Sequence, residues 1–388
     1  MTSRRLSIAS GRANRGIVGL DLVRFAAASM VMGFHFGFWQ WAAPQTRTNR
    51  LLALDLPMPA FGRIAVNGWV GVEIFFVISG FVIAWSAEKA SFGGFLRARF
   101  LRLAPAAWIC GSISALALLA SRSASPPELL RPYVRTLTFF PTAPWIDDAY
   151  WTLDIEVAFY ALVALLIALG RRSWLTAVVG GVGAASAAFW IAFSAIGGLG
   201  LAAAAHSRYG ELALLHHGCF FCIGVLFLRA MESRRIGGAI FGLGALCLAG
   251  GVVEIIDSAA AKTQATGIAV GAAIPIAIWL LALAAIAGSI AANSRLAGLA
   301  MLARSRSIGL ATYPLYLLHA VTGGVAMKAA SALGVPGPAA LIVGVVVALT
   351  LALLVSEMLE PWTRRAVAAA LDAGKRRPTS AKLGGDLA

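Results

Sequence analysis

The sequence predicts an all-α integral membrane protein, a bundle of about ten transmembrane helices with both termini cytoplasmic. Composition is the first reason. Of 388 residues, 60% are hydrophobic and 13% charged, with a mean hydropathy of +0.82, whereas soluble domains carry about 25% charged residues. The second reason is a series of apolar runs near the ~20 residues that a helix needs to cross the hydrocarbon core. The third is where Lys and Arg fall between those runs, since short cytoplasmic loops are enriched in them.

The runs fall at about 18–41, 66–87, 101–120, 149–169, 174–196, 211–228, 237–257, 266–288, 308–328 and 338–358. The first follows Arg4, Arg5, Arg12 and Arg15. The second and third flank Lys89, Arg97, Arg99 and Arg102, and the fourth and fifth flank Arg171 and Arg172. Arg229, Arg234 and Arg235 separate the sixth from the seventh, and Arg295, Arg304 and Arg306 the eighth from the ninth. The tenth leads to Arg364, Arg365, Lys375, Arg376, Arg377 and Lys382. With the N-terminus inside, twenty-two basic residues lie on the inner side and nine on the outer. An even number of helices keeps the basic C-terminus inside. The domain reading is a basic cytoplasmic tail over 1–17, a membrane domain over 18–360 and a second basic tail over 361–388, expected to be mobile. The first segment is too long, and lacks the small-residue cleavage site, for a signal peptide.

A net charge of +15 would suit nucleic acid, but here it sits in short loops and tails that meet anionic headgroups. Nucleic acid is therefore not an expected partner. Cys110, Cys219, Cys222 and Cys247 lie within or at the ends of apolar runs, where cysteine acts as a small buried residue. The spacing of Cys219 and Cys222 would suit a redox or zinc pair, yet no second pair exists to complete it. The sequence holds no P-loop, dinucleotide fingerprint, nucleophile elbow or HExxH. No metal and no permanently bound cofactor are expected.

Chemistry is concentrated where ionisable residues enter the apolar runs, since such residues are costly at membrane depth. Arg24 and His35 share the first run. Eleven residues make almost three helical turns, which puts both on one face about 16 Å apart along the axis. His35 then lies in the outer half of its helix, as do Glu73 on the second and Asp154 and Glu156 on the fourth. The expectation is one layer holding three carboxylates and an imidazole, able to orient and tune a general base. Asp154 and Glu156, two apart, point to different faces. Toward the inner side Arg99 and Arg102, three apart on one face, join Arg24 as candidates to bind phosphates. Arg97 lies beside them.

Five blocks carry a resemblance along nearly the whole chain. They are Arg24 and His35 after Leu20-Asp-Leu-Val; Gly71-Val-Glu-Ile-Phe-Phe-Val-Ile-Ser-Gly-Phe81; Arg99 through Pro105; Trp151 through Tyr160; and Ser307-Ile-Gly-Leu-Ala-Thr-Tyr-Pro-Leu-Tyr-Leu-Leu-His319. In this order they resemble the membrane O-acyltransferases of the acyltransferase type 3 family. The second block departs from the pattern by the intervening Ile74. In the fourth, Thr152 and Asp154 stand where the family has two serines. The resemblance implies acyl transfer from a cytoplasmic acyl-CoA, normally acetyl-CoA, to a hydroxyl of a carbohydrate or lipid-linked sugar at the outer face of a bacterial inner membrane. It implies catalytic roles for His35, Glu73 and Glu156, with a carboxylate hydrogen-bonded to His35. Arg24, Arg99 and Arg102 become donor-binding residues, and Asp154, Tyr313 and His319 substrate-binding residues. The implied partners are the bilayer, acyl-CoA and a hydroxyl-bearing glycan or glycolipid. The competing reading of a polar bundle is a multi-pass transporter or a non-catalytic membrane subunit; neither predicts acyl-CoA turnover.

Overall fold

A computed structural model of the chain describes residues 17–196, 207–233, 237–293 and 305–373. Most of the expected tails, 1–16 and 374–388, lie outside these. Among the described residues all regular structure is helical. The helices are α1 Val18–Phe34, α2 Arg47–Leu52, α3 Pro59–Ala65, α4 Gly71–Ala87, α5 Phe92–Ala120, α6 Pro126–Leu137, α7 Trp151–Ala168 and α8 Leu175–Ala195. They continue with α9 Arg208–Leu212, α10 Gly218–Glu232, α11 Gly238–Thr266, α12 Ala273–Ala291, α13 Ser305–Leu318, α14 Gly324–Ala332, α15 Gly337–Leu354 and α16 Glu360–Ala373. Residues 361–373, placed by sequence in the C-terminal tail, are helical.

Nine stretches among the described residues are long and apolar enough to cross a membrane. The expected sixth span, 211–228, is the exception. It divides into the short α9 and the fifteen-residue α10, and fifteen residues rise only about 22 Å. Helix α10 is enclosed by protein along nearly its whole length, with Cys219, Phe220, Phe221 and Val225 at most 1% exposed. Its apolar character thus serves packing between helices. A Cβ on Gly224 would come 2.0 Å from the Val77 carbonyl oxygen, and one on Gly80 would come 2.1 Å from that of Phe221. The backbones of α4 and α10 meet at these two glycines, the close approach that small residues permit in helix bundles.

Two helices break step where it matters. Helix α1 continues through a π-helical turn at His35–Trp39 and on to Gln40–Ala42, and α13 passes into a π turn at His319–Gly323. Each of these two π turns opens on a histidine, unlike a third at Val355–Leu359, and such turns recur at functional sites. The two are interlocked. A Cβ on Gly323 would strike the Phe36 ring at 2.2 Å, and Gln40 Nε2 donates to the Ala320 carbonyl at 3.3 Å. From the loop before α7, buried Asp147 accepts the Val321 N–H at 3.1 Å and the Ala149 N–H at 2.8 Å. One carboxylate therefore ties that loop to the second π turn.

Candidate active site

The two π turns bring their histidines together. His319 Nδ1 lies 3.1 Å from the Leu315 carbonyl oxygen, which can only accept, so Nδ1 carries the proton and Nε2 is bare. That Nε2 is 2.9 Å from His35 Nδ1, which also lies 3.0 Å from the Val31 carbonyl oxygen. Both neighbours accept, so His35 Nδ1 holds a proton shared between them, and Nε2 of neutral His35 is a free lone pair. A base oriented by a third group through its other ring nitrogen is the arrangement of nucleophile-activating triads, with an imidazole here in the orienting place.

His35 lines a cavity of about 670 Å³ walled by Trp39, Trp69, Trp151 and Trp190 and by the carboxylates of Glu73 and Glu254. A second cavity, of about 360 Å³, is lined by Arg24, Arg99, Arg102 and Arg364 together with Glu156, Tyr160 and Tyr313. Val72 and Tyr316 line both. Tyr316 is buried, its hydroxyl accepts from Thr152 Oγ1 at 3.1 Å, and its ring meets Phe75 edge-on at 5.6 Å.

The arginine-lined cavity is built on aromatic faces. Arg99 lies over Phe95 and Tyr160, 5.8 and 5.6 Å from the ring centroids, and Arg102 over Tyr313 at 5.3 Å. Glu156 Oε1 accepts from the Tyr160 hydroxyl at 2.5 Å and from Ser79 Oγ at 3.4 Å. Arg24 Nη1 is 3.8 Å from Asp21 Oδ1. Arg97 turns away to Asp372, at 2.9 Å.

The expected single layer of carboxylates does not form. Glu73 shares the tryptophan-lined cavity with His35 but makes no hydrogen bond to it; the partner of His35 is His319. Glu156 belongs to the arginine-lined cavity, because it stands one turn, about 6 Å, beyond Thr152 on the same face of α7. Asp154, on another face, is buried against Arg208 at 3.0 Å and lines neither cavity. Tyr313 stands with the arginines, and its hydroxyl donates to the Leu103 carbonyl at 3.4 Å. Arg24, Arg99 and Arg102 do share one cavity.

Several polar groups of these walls escaped the sequence reading. Arg364 was assigned to a tail, although Glu360 four residues earlier marks the same inward face. Glu254, Ser258 and Lys262 repeat every four residues along α11, a signal that was available and points into the tryptophan-lined cavity. Glu211, His216 and His217 bring ligand atoms within 4.8 Å of one another, a set that could hold a metal ion. Arg208 Nη1 lies 2.6 Å from Glu211 Oε2, which places a fixed positive charge against that carboxylate.

The chain is thus a multi-pass helical membrane protein with His35 on one cavity and an arginine cluster in the next. The family model described as the acyltransferase domain, acyltransferase type 3, matches residues 17–357, and the chain belongs to that family; it is an acyltransferase. The chain is 27% identical over 322 residues to exopolysaccharide production protein ExoZ of Rhizobium meliloti (strain 1021), an alignment covering 79% of this chain and 93% of that one. It is 28% identical over 193 residues to nodulation protein 10 of Rhizobium leguminosarum bv. viciae, covering 44% of this chain and about half, 49%, of the relative. Acyltransferase MdmB of Streptomyces mycarofaciens is 28% identical over 160 residues, 39% of each chain. No solved structure matches the chain.

Proposed function

We propose that this protein moves an acyl group, normally acetyl, from cytoplasmic acyl-CoA to a hydroxyl of a carbohydrate or lipid-linked sugar at the outer face of a bacterial inner membrane. The observation that carries the reading is the pair of adjoining cavities, one lined with arginines and one presenting His35, which meet at Val72 and Tyr316. Arg24, Arg99, Arg102 and Arg364 suit the phosphates of an acyl-CoA, since guanidinium forks bind phosphate oxygens through paired donors. The ~16 Å from the level of Arg24 to that of His35 is comparable to the reach of the pantetheine arm, so the thioester meets the base while the nucleotide end stays on the basic side. The excess of Lys and Arg on the N-terminal side supports this orientation, and the similarity to ExoZ supports a glycan acceptor.

The step balances through one base. The acceptor O–H gives its proton to His35 Nε2, the oxygen bonds to the thioester carbonyl carbon, the C–S bond breaks, and the proton passes from His35 to the departing thiolate. His35 acts as the catalytic residue, and His319 positions it by holding Nδ1–H throughout. Glu73 and the other groups of the tryptophan-lined cavity would face the acceptor side. His35→Ala should abolish acyl transfer from radiolabelled acetyl-CoA in proteoliposomes, with membrane insertion and thermal unfolding unchanged. Full transfer by that variant would sink the reading.

A further inference from the structure

The two cavities carry opposite electrostatic characters. The arginine-lined one holds four guanidinium groups against Glu156. The tryptophan-lined one holds carboxylates, and the cations near it are already engaged. Arg208 spends Nε on the Pro141 carbonyl, Nη1 on Glu211, and Nη2 on the Trp151 carbonyl and Asp154. Lys262 Nζ sits 3.8 Å above the Trp69 ring and donates to the Ser258 carbonyl at 3.3 Å. On the acceptor side of the ledger, Oε2 of Glu73 and Oε2 of Glu254 have no hydrogen-bond partner, in side chains whose residues are only 4% and 2% exposed. A buried carboxylate oxygen without a donor is costly, and it calls for an incoming N–H or O–H.

We propose that this cavity is an acceptor subsite selective for an uncharged over an anionic glycosyl ring, with Glu73 and Glu254 accepting its hydroxyls; the proposal rests on the acyltransferase reading above. A ring rich in hydroxyls supplies the donors these two oxygens lack. An anionic ring would bring oxygen acceptors against oxygen acceptors, with the local cations already committed, so it is turned away. The indoles supply flat apolar walls with a polar edge, suited to the C–H faces of a sugar, and buried Trp69 Nε1, also without a partner, offers one donor to a ring oxygen. The volume of about 670 Å³ lies in the ~300–1,000 Å³ range of small-molecule sites.

The test is binding and turnover with matched glycans. The purified protein in nanodiscs is titrated, by quenching of tryptophan fluorescence, with uncharged gluco-, galacto- and manno-oligosaccharides and with the same chains ending in a uronic acid. An uncharged chain should bind at least about tenfold more tightly than its uronic counterpart, a difference of ~1.4 kcal/mol. Glu254→Gln, which keeps a carbonyl oxygen but removes the charge, should narrow the gap to the uronic acid, and so should Glu73→Gln. Equal or tighter binding of the uronic forms by wild type overturns the subsite, and so does failure of every uncharged chain to bind. Release of CoA from acetyl-CoA is followed in parallel. Turnover with the wrong acceptor preference sinks the subsite alone, whereas a wild-type protein with no turnover sinks the acyltransferase reading beneath it.

Discussion

His35 is held in one tautomer because two carbonyl oxygens and one bare imidazole nitrogen leave no alternative. Val31 and Leu315 supply the carbonyls and His319 the nitrogen. The chain thereby solves in protein groups the problem that catalytic bases elsewhere solve with a carboxylate, namely keeping the reactive nitrogen unprotonated and steadying the cation after it accepts a proton. His319→Ala removes this partner without touching either cavity's charge. kcat for acyl transfer should fall about 10²-fold or more, with KM for acetyl-CoA unchanged, the pattern of an interaction that acts after substrate binding. His319→Gln, whose amide oxygen can accept from Nδ1–H, should recover part of the loss. A raised KM with unchanged kcat would instead place His319 among the donor-binding residues.

At the scale of helices, the site depends on how closely backbones approach. Gly224→Ala drives a Cβ into the Val77 carbonyl, where only a shift of α4 against α10 makes room. It should cost about 1–3 kcal/mol, as overpacking does, and lower the yield of folded protein in detergent. Gly33→Ala in α1, which meets nothing within 4 Å, should be neutral or slightly stabilising. Outside the bilayer, α6 begins with a reciprocal cap in which Glu128 Oε2 accepts from the backbone N–H and the hydroxyl of Ser125, both at 2.7 Å. These bonds hold the Glu128 carboxyl below its ordinary value. A depressed acid contributes its stability above its unfolded pKa and loses it as pH falls through the folded one. The protection of the amides in the first turn of α6, corrected for the intrinsic exchange rate, should therefore fall as pH drops through the carboxylate range, and Glu128→Gln should flatten that dependence. Much of the helical plan could be read from the sequence, since apolar runs of fixed length have few other fates. The π turns at His35 and His319 could not, for neither holds a residue that demands them, and they alone swing the two rings together. The grouping of Arg24, Arg99 and Arg102 was legible, and they line one cavity. The grouping of Glu156 with His35 was not, because a depth estimate ignores which neighbour each face of α7 meets.

Across the whole molecule, the arginine-lined and tryptophan-lined cavities are kept apart by very little material. Val72 and Tyr316 line both, and the Tyr316 ring is held by Thr152 through its hydroxyl and by Phe75 through its face. An acyl-CoA thioester is prone to attack by water, so an enzyme that must deliver it to a sugar gains by keeping water from the donor until the acceptor is seated. Tyr316 is the bulkier of the two groups placed to do this, and its hold depends more on the ring than on the hydroxyl: the ring fills the junction, while the hydroxyl only accepts one neutral hydrogen bond, worth about 1 kcal/mol. Tyr316→Phe should thus keep most transfer activity and stay tight to water. Tyr316→Ala opens the junction, and release of CoA from acetyl-CoA in the absence of any acceptor should rise severalfold while transfer to the acceptor falls. The two rates are separable in one assay, by following free thiol and labelled product together. If Tyr316→Ala slows both equally, the ring orders the donor rather than sealing it, and the boundary between the cavities must lie elsewhere.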